Sequence, residues 1–129
     1  MGTKDIKPPL RFLITGSRVW TNKDRMYWVF FELHKQLVNS NREAILVHGG
    51  AAGADLMAKE IWEAFGRPTE QHLADWDKFG RSAGYVRNAQ MIESGANLCV
   101  AFIKDDSRGA SHCANIAAKA GIKVVRFTE

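Results

Sequence analysis

Residues 48–55 read HGGAAGAD, which sets three glycines, a histidine and an aspartate within eight positions. An apolar run at 44–47 precedes them, of the kind buried on both faces of a parallel sheet. After them Ala54, Met57, Ala58, Ile61 and Phe65 recur at i, i+3, i+4, i+7 and i+11, one face of a helix. A strand, a glycine-rich turn and a helix that starts inside the turn are therefore predicted. Glycines leave backbone N–H groups uncovered by Cβ atoms, and a helix start adds unpaired N–H groups at the positive end of its dipole. That combination binds phosphate or another anion. The anion reading rests on Gly49, Gly50, Gly53 and the helix-opening Ala54. The plainer alternative is a tight left-handed turn and nothing more. The pattern is neither a Walker P-loop, since no Gly-Lys-Ser/Thr follows, nor a G-x-G-x-x-G.

Other residues that can do chemistry sit at similar breaks. Asp55 falls in the first turn of the helix. It is either a dipole-favoured acid, or an acceptor for a ribose hydroxyl or a cation. Gly16-Ser17-Arg18 ends the first apolar run, with Arg18 placed for a phosphate. Ser107, Gly109 and Ser111 lie in a second polar turn, 104–111. Ser17, Ser107 and Ser111 read as turn, cap or phosphate-contact hydroxyls rather than nucleophiles. Trp76 lies in an aperiodic stretch, 75–84, either stacking on a base or locking the loop. Arg87 and Asn88 fall in a helix just after it, where arginine can fork onto an anion or simply face water. Arg81 and Arg108 read as surface residues. His48 and His112 each adjoin a glycine turn, but neither has a second ligand at metal spacing, so no metal site is expected. His112 stays open as a general acid or base.

These residues need elements to hold them. Strands are predicted at 10–15, 44–47, 69–74, 97–103 and 122–127. Helices are predicted at 23–38, from the glycine turn to about 65, at 82–93 and at 111–120, the first capped by Thr21 or Asn22. Alternating strands and helices imply an α/β domain, a doubly wound parallel sheet with right-handed crossovers and helices on both faces. The predicted order is 3-2-1-4-5, Rossmann-like. Ligands in such sheets sit beyond the carboxyl ends of the strands at the switch point, where the turns at 16–18, 48–55 and 104–111 would meet.

Composition sets the outer bounds. The 129 residues suit one domain, 10–129, behind a polar tail at 1–9 without the apolar stretch of a signal peptide. A formal charge of +4 suits a nucleotide or phosphate partner, but no basic run reads as a nucleic-acid arm. No segment is long enough to span a membrane. Cys99 and Cys113 make no CxxC pair, and a reducing cytoplasm is the natural setting. In helix 23–38, Met26, Val29, Phe30, Leu33 and Leu37 form the sheet-facing stripe. Tyr27, Phe31, His34 and Val38 form a second, with Trp28 further round, which is more aromatic surface than one sheet face needs.

With those residues placed, the chain resembles the SLOG superfamily, specifically its YspA-like branch. The matching stretches are TGSR at 15–18, HGGAAGADLMA at 48–58, Trp76 with GRSAGYVRNAQMI at 80–92, and the turn around Gly109. The superfamily also includes LOG-type phosphoribohydrolases and the DprA/Smf single-strand DNA binders. The resemblance implies a Rossmann-like fold that binds nucleotides or their derivatives, a ligand role for Arg87 and Asn88, and frequent homo-oligomers. The LOG motif PGGxGTxxE is missing: DDSRGASHCAN stands in its place at 105–115, so phosphoribohydrolase chemistry is not carried over.

Three functions follow. One is a sensor or sequestering module for a small phosphorylated ligand, a nucleotide or nucleotide derivative, with no certain cofactor. The second is a hydrolase of an N-glycosidic or phosphoester bond, for which Asp55, Asp106 and His112 are the available ionisable groups. The third is single-stranded nucleic-acid binding, as in DprA. A homo-oligomer through helix 23–38 is expected with each.

Overall fold

Five parallel strands form one sheet in the order β3-β2-β1-β4-β5, and the computed structural model describes residues 7–129. The strands are β1 (Leu10–Gly16), β2 (Ala44–His48), β3 (Thr69–Gln71), β4 (Leu98–Ile103) and β5 (Lys123–Thr128). The helices are α1 (Lys23–Ser40), α2 (Ala54–Ala64), the single turn α3 (Trp76–Phe79), α4 (Ala83–Glu93) and α5 (Arg108–Lys119). A 3-10 turn, Gly80–Ser82, joins α3 to α4.

Alternation along the strands builds two cores. Phe12, Ile14, Leu46, Val100 and Phe102 face α1 and α2, where they meet Met26, Phe30, Leu37, Ala58 and Trp62. Leu13, Val47 and Cys99 point the other way, onto Met91 of α4 and Cys113 and Ala117 of α5. A strand buried on both faces must be apolar at odd and even positions alike, as the runs at 12–14 and 98–103 are. The doubly wound Rossmann-like fold and its strand order are as expected from the sequence.

Boundaries shift for local reasons. The first helix is capped by Asn22, whose Oδ1 accepts from Arg25 N–H (3.0 Å), and runs on to Ser40 before Asn41 closes it at φ 54°. β3 stops at Gln71 instead of continuing to 74: β2 ends at His48, whose carbonyl takes the last bond, from His72 N–H at 2.8 Å. The aperiodic loop 75–84 is helical in pieces. Asp75 accepts from Lys78 N–H (3.0 Å) and starts α3, whose 4 residues are too few to show a period. α5 begins at Arg108, three residues early, because Ser107 already accepts from Ser111 N–H (3.0 Å). Of the expected tail 1–9, residues 1–6 lie outside the described residues; residues 7–9 have no regular structure, and Pro8 O accepts from Arg42 (3.1 Å).

The second stripe of α1 is largely used within the chain. Phe65, at the end of α2, packs on Tyr27 (5.7 Å between ring centroids), Phe31 (6.4 Å) and His34 (4.7 Å, stacked). Trp28 and Val38 remain exposed, and Tyr27 stays partly so.

Candidate functional site

β1 ends beside β4 at the switch point, and Ser17 ties three loops together there. Its N–H donates to Phe102 O (2.9 Å), and its hydroxyl donates to Lys104 O (3.1 Å) and accepts from Lys104 N–H (2.8 Å). Its carbonyl accepts from Trp20 N–H (3.2 Å) and Ala54 N–H (3.1 Å). Ser17 is fully buried, so its polar groups are spent on the scaffold and not on a ligand. Gly53, at φ +82°, lets the second loop approach: a Cβ there would lie 2.6 Å from Ser17 O. Gly16 similarly leaves room for Ala54, which is buried under it.

Three N–H groups of the glycine turn are bonded within the turn itself. Gly49 N–H (3.1 Å) and Ala51 N–H (3.3 Å) both donate to Asp55 Oδ2, and Gly50 N–H donates to His48 Nδ1 (3.0 Å). Two N–H groups of the turn expected to cradle an external anion thus hold a carboxylate of the same chain, which reaches back from the first turn of α2. The N–H groups of Gly49 and Gly50, expected to face a ligand, are therefore already bonded within the chain. His48 is buried and, with its Nδ1 accepting, carries its proton on Nε2, which has no partner among the described residues. Burial holds the ring neutral, its pKa lowered to about 4.

Asp55 itself faces the cleft. Burial raises its pKa to about 6, against the opposing pull of the Ala51 N–H, Arg87, the Gly49 N–H and Arg18. Arg87 crosses over the turn: its Nη1 donates to Gly49 O (2.7 Å) and its Nε to Asn88 Oδ1 (3.1 Å). Asn88, nearly buried, turns its amide nitrogen to Gly109 O (3.5 Å) and His112 Nδ1 (3.4 Å), linking α4 to the start of α5. His112 lies against Tyr85, 4.3 Å between ring centroids, and burial lowers its pKa.

One cleft of about 270 Å³ collects these groups. Gly16 and Arg18 come from the end of β1, Asp55 and Ala51 from the glycine turn, Trp76 and Arg81 from α3 and the turn after it. Gly84, Tyr85, Arg87, Asn88 and Met91 come from α4, and Ser107, Gly109 and Ala110 from the start of α5. Three arginines therefore surround one buried acid. Ser107 makes no side-chain cap bond, and no acid stands in the first turn of α5. The positive end of this 12-residue helix borders the cleft through Ser107, Gly109 and Ala110. Trp76 is 52% exposed and Tyr85 44%, both beside the opening.

Of the residues proposed from sequence, Gly16, Arg18, Asp55, Trp76, Arg87, Asn88, Ser107 and Gly109 line the cleft. Ser17, His48, Gly49, Gly50, Gly53 and Ala54 build its walls from behind, and Ser111 lies outside its lining. Arg81, read as a surface residue, and Tyr85, unremarked, are on it. Gly84, Arg87, Asn88 and Met91 follow i, i+3, i+4 and i+7 spacing, a signal that shows which face of α4 turns inward. Arg81 has no such signal, because it sits between two elements too short for a period.

The sequence model of the family described as YspA, cpYpsA-related SLOG family matches residues 10–79. Those residues run from β1 through α3 and include the glycine turn and Trp76. The "Gene 61 protein" of Mycobacterium phage D29 is 45% identical over 122 residues, covering 91% of this chain and 95% of that protein. No solved structure matches. Among the described residues no helix is long and apolar enough to cross a membrane, and no group of three or more His, Cys, Asp and Glu side chains is placed to hold a metal.

Proposed function

Because the chain belongs to the YspA, cpYpsA-related SLOG family, we propose that its cleft binds a small nucleotide or nucleotide derivative. The observation that carries this reading is the convergence on one cleft of an uncapped helix start, three arginines and two open aromatic rings. The ligand's phosphate sits at the start of α5, against the N–H groups near Gly109 and the Ser107 hydroxyl, with Arg18 and Arg87 alongside. Its base stacks on Trp76 or Tyr85. Asp55 accepts a ribose hydroxyl, which also separates the carboxylate from the phosphate. The volume is slightly below the roughly 300–1,000 Å³ common for ligand sites, which suits a mononucleotide-sized ligand better than an oligonucleotide. The chain works as a sensor or sequestering module in a reducing compartment, consistent with the free, buried Cys99 and Cys113, and associates with itself through α1.

The test is a thermal-shift and calorimetry screen against nucleotides, ADP-ribose compounds, cyclic dinucleotides and short oligonucleotides. A small phosphorylated ligand should raise the melting temperature by mass action. Binding only to oligonucleotides, with affinity falling about 10³–10⁵ between 50 and 200 mM salt, would mean single-stranded nucleic acid instead.

A second reading is hydrolysis of an N-glycosidic bond in that ligand. It is favoured by Asp55, a buried carboxyl raised to about 6, within reach of general acid–base work near neutral pH. Chromatography of a bound ligand after incubation would find the free base and the sugar phosphate, and Asp55→Asn would bind without releasing them.

A further inference from the structure

α1 keeps one apolar surface that no described residue covers. Tyr27, Phe31 and His34 close on Phe65, while Trp28 lies edge-on to Tyr27 (5.4 Å between ring centroids) and Phe31 (5.6 Å), makes no such contact with Phe65, and stays 60% exposed. It stands at the rim of an apolar groove of about 550 Å³, with Val29 and Leu33 beside it and Val100, Val125 and Phe127 as the floor. The groove exists because the sheet is covered unequally. α5 packs on β4 and β5 from one side, while no described helix lies over β5 on the side of α1. A parallel sheet is stable when both faces are covered.

The charges at the ends of the groove indicate what covers it. Arg25 and Glu32 stand at opposite ends of the same α1 stripe, seven positions apart, with Trp28 and Val29 between them. Two such helices laid antiparallel about a two-fold axis at Trp28–Val29 bring each Arg25 opposite the other chain's Glu32, so the stripe is complementary to itself. Arg25 is fixed at the end of the groove by its own chain, already paired with Glu129, so a partner's Glu32 would join that pair from outside. Its Nη1 donates to Thr128 O (2.9 Å) and Glu129 Oε2 (3.0 Å), and its guanidinium lies 5.5 Å from the Phe127 ring centroid, forming the groove's end wall. Glu32 is tied to Lys35 one turn on, at 3.1 Å with both side chains half exposed. Such a pair is weak and readily exchanged.

We propose that a second copy of this chain fills the groove. The two α1 helices run antiparallel, each Trp28 enters the groove of the other copy, and reciprocal Arg25–Glu32 pairs set the orientation. This rests on the self-association through α1 proposed above and names its face, direction and pairing. It does not depend on the ligand reading.

Sedimentation of the full-length chain tests it. The wild type should sediment as a dimer at high micromolar concentration. Trp28→Ala should weaken the dimer about thirtyfold or more, as truncation of a central aromatic anchor does. Arg25→Glu and Glu32→Arg should each weaken it about tenfold or more, by facing like charges across the axis. An equimolar mixture of those two variants should dimerise again, because every facing pair is then of opposite sign. A wild type that stays monomeric overturns the proposal, as does a dimer indifferent to all three substitutions. A mixture that does not re-associate overturns the antiparallel pairing. Loss of the dimer on deleting residues 1–6, with Trp28→Ala without effect, would make that segment the occupant and overturn it equally. Unchanged circular dichroism of each variant shows that folding is not the cause.

Discussion

Replacing Asp55 with asparagine should make the ligand-free protein more stable at neutral pH and leave it unchanged in acid. The ordinary carboxyl value of 3.8 rises to about 6 in the fold, chiefly through burial. At 1.36 kcal/mol per tenfold, that gap corresponds to about 3 kcal/mol. The sign follows from linkage. The folded state holds the proton more tightly than the unfolded chain, so this contribution is fully present below about pH 4 and is lost as pH rises through about 6. Above that, the ionised carboxylate is retained at a cost of about 3 kcal/mol. Asparagine offers an oxygen to the N–H groups of Gly49 and Ala51 without the charge, and the weaker neutral hydrogen bonds return about 1–2 kcal/mol of that gain. The net expectation is a stabilisation of about 1–2 kcal/mol at pH 7 and none or a small loss near pH 4. Urea unfolding of both proteins across that range measures it directly. A difference that stays constant with pH would refute the reasoning, and so would a variant that is less stable at pH 7. Either result would mean that Arg87 and Arg18 compensate the ionised group in full.

Four further outcomes follow. An anionic ligand should bind more tightly as pH falls from about 7 toward 5, with proton uptake seen by calorimetry in buffers of different ionisation enthalpy, and Asp55→Asn should remove that dependence. Arg87→Ala should cost about 1.5–3 kcal/mol of affinity for a phosphorylated ligand by titration, and Arg87→Lys should recover only part, since a point charge cannot replace the fork. Trp76→Ala should cost about 1–3 kcal/mol of affinity with little change in melting temperature, because the ring is half exposed and has no ring partner among the described residues. Gly53→Ala should destabilise by about 3 kcal/mol or more, combining a positive φ with a clash, whereas Gly66→Ala should cost about 1 kcal/mol; chemical denaturation compares them. Gly66 has nearly the same φ, +77°, but open space around it, whereas a Cβ on Gly53 would meet the carbonyls of Arg18 and Ser17.

The sequence by itself determined the sheet. Each strand is a local run of fixed length, each helix declares its period, and alternation with right-handed crossovers leaves few orders to choose from. The same local logic put Gly16, Arg18, Asp55, Ser107 and Gly109 at the carboxyl edge. It also identified the glycine turn as a concentration of free N–H groups, which is true of the turn considered alone. Only the tertiary structure decided who would use those groups. Asp55 lies six residues beyond Gly49, at no diagnostic spacing, and its claim on the Gly49 and Ala51 N–H groups depends on where α2 starts against Ser17. The helix start that borders the cleft with no acid in its first turn is the one at Ser107, the weaker of the two in sequence because it carries a single glycine. Arg81 and Tyr85 join the cleft because two short turns fold α4 back over the switch point, and turns of 3 and 4 residues leave no periodic trace. The aromatic stripe of α1 divides for a similar reason: Phe65, at the end of α2, packs on Tyr27, Phe31 and His34, while Trp28 stands beside a sheet face that only the three-dimensional layering shows to be uncovered among the described residues. Periodicity is a property of one element, and convergence is a property of several packed together.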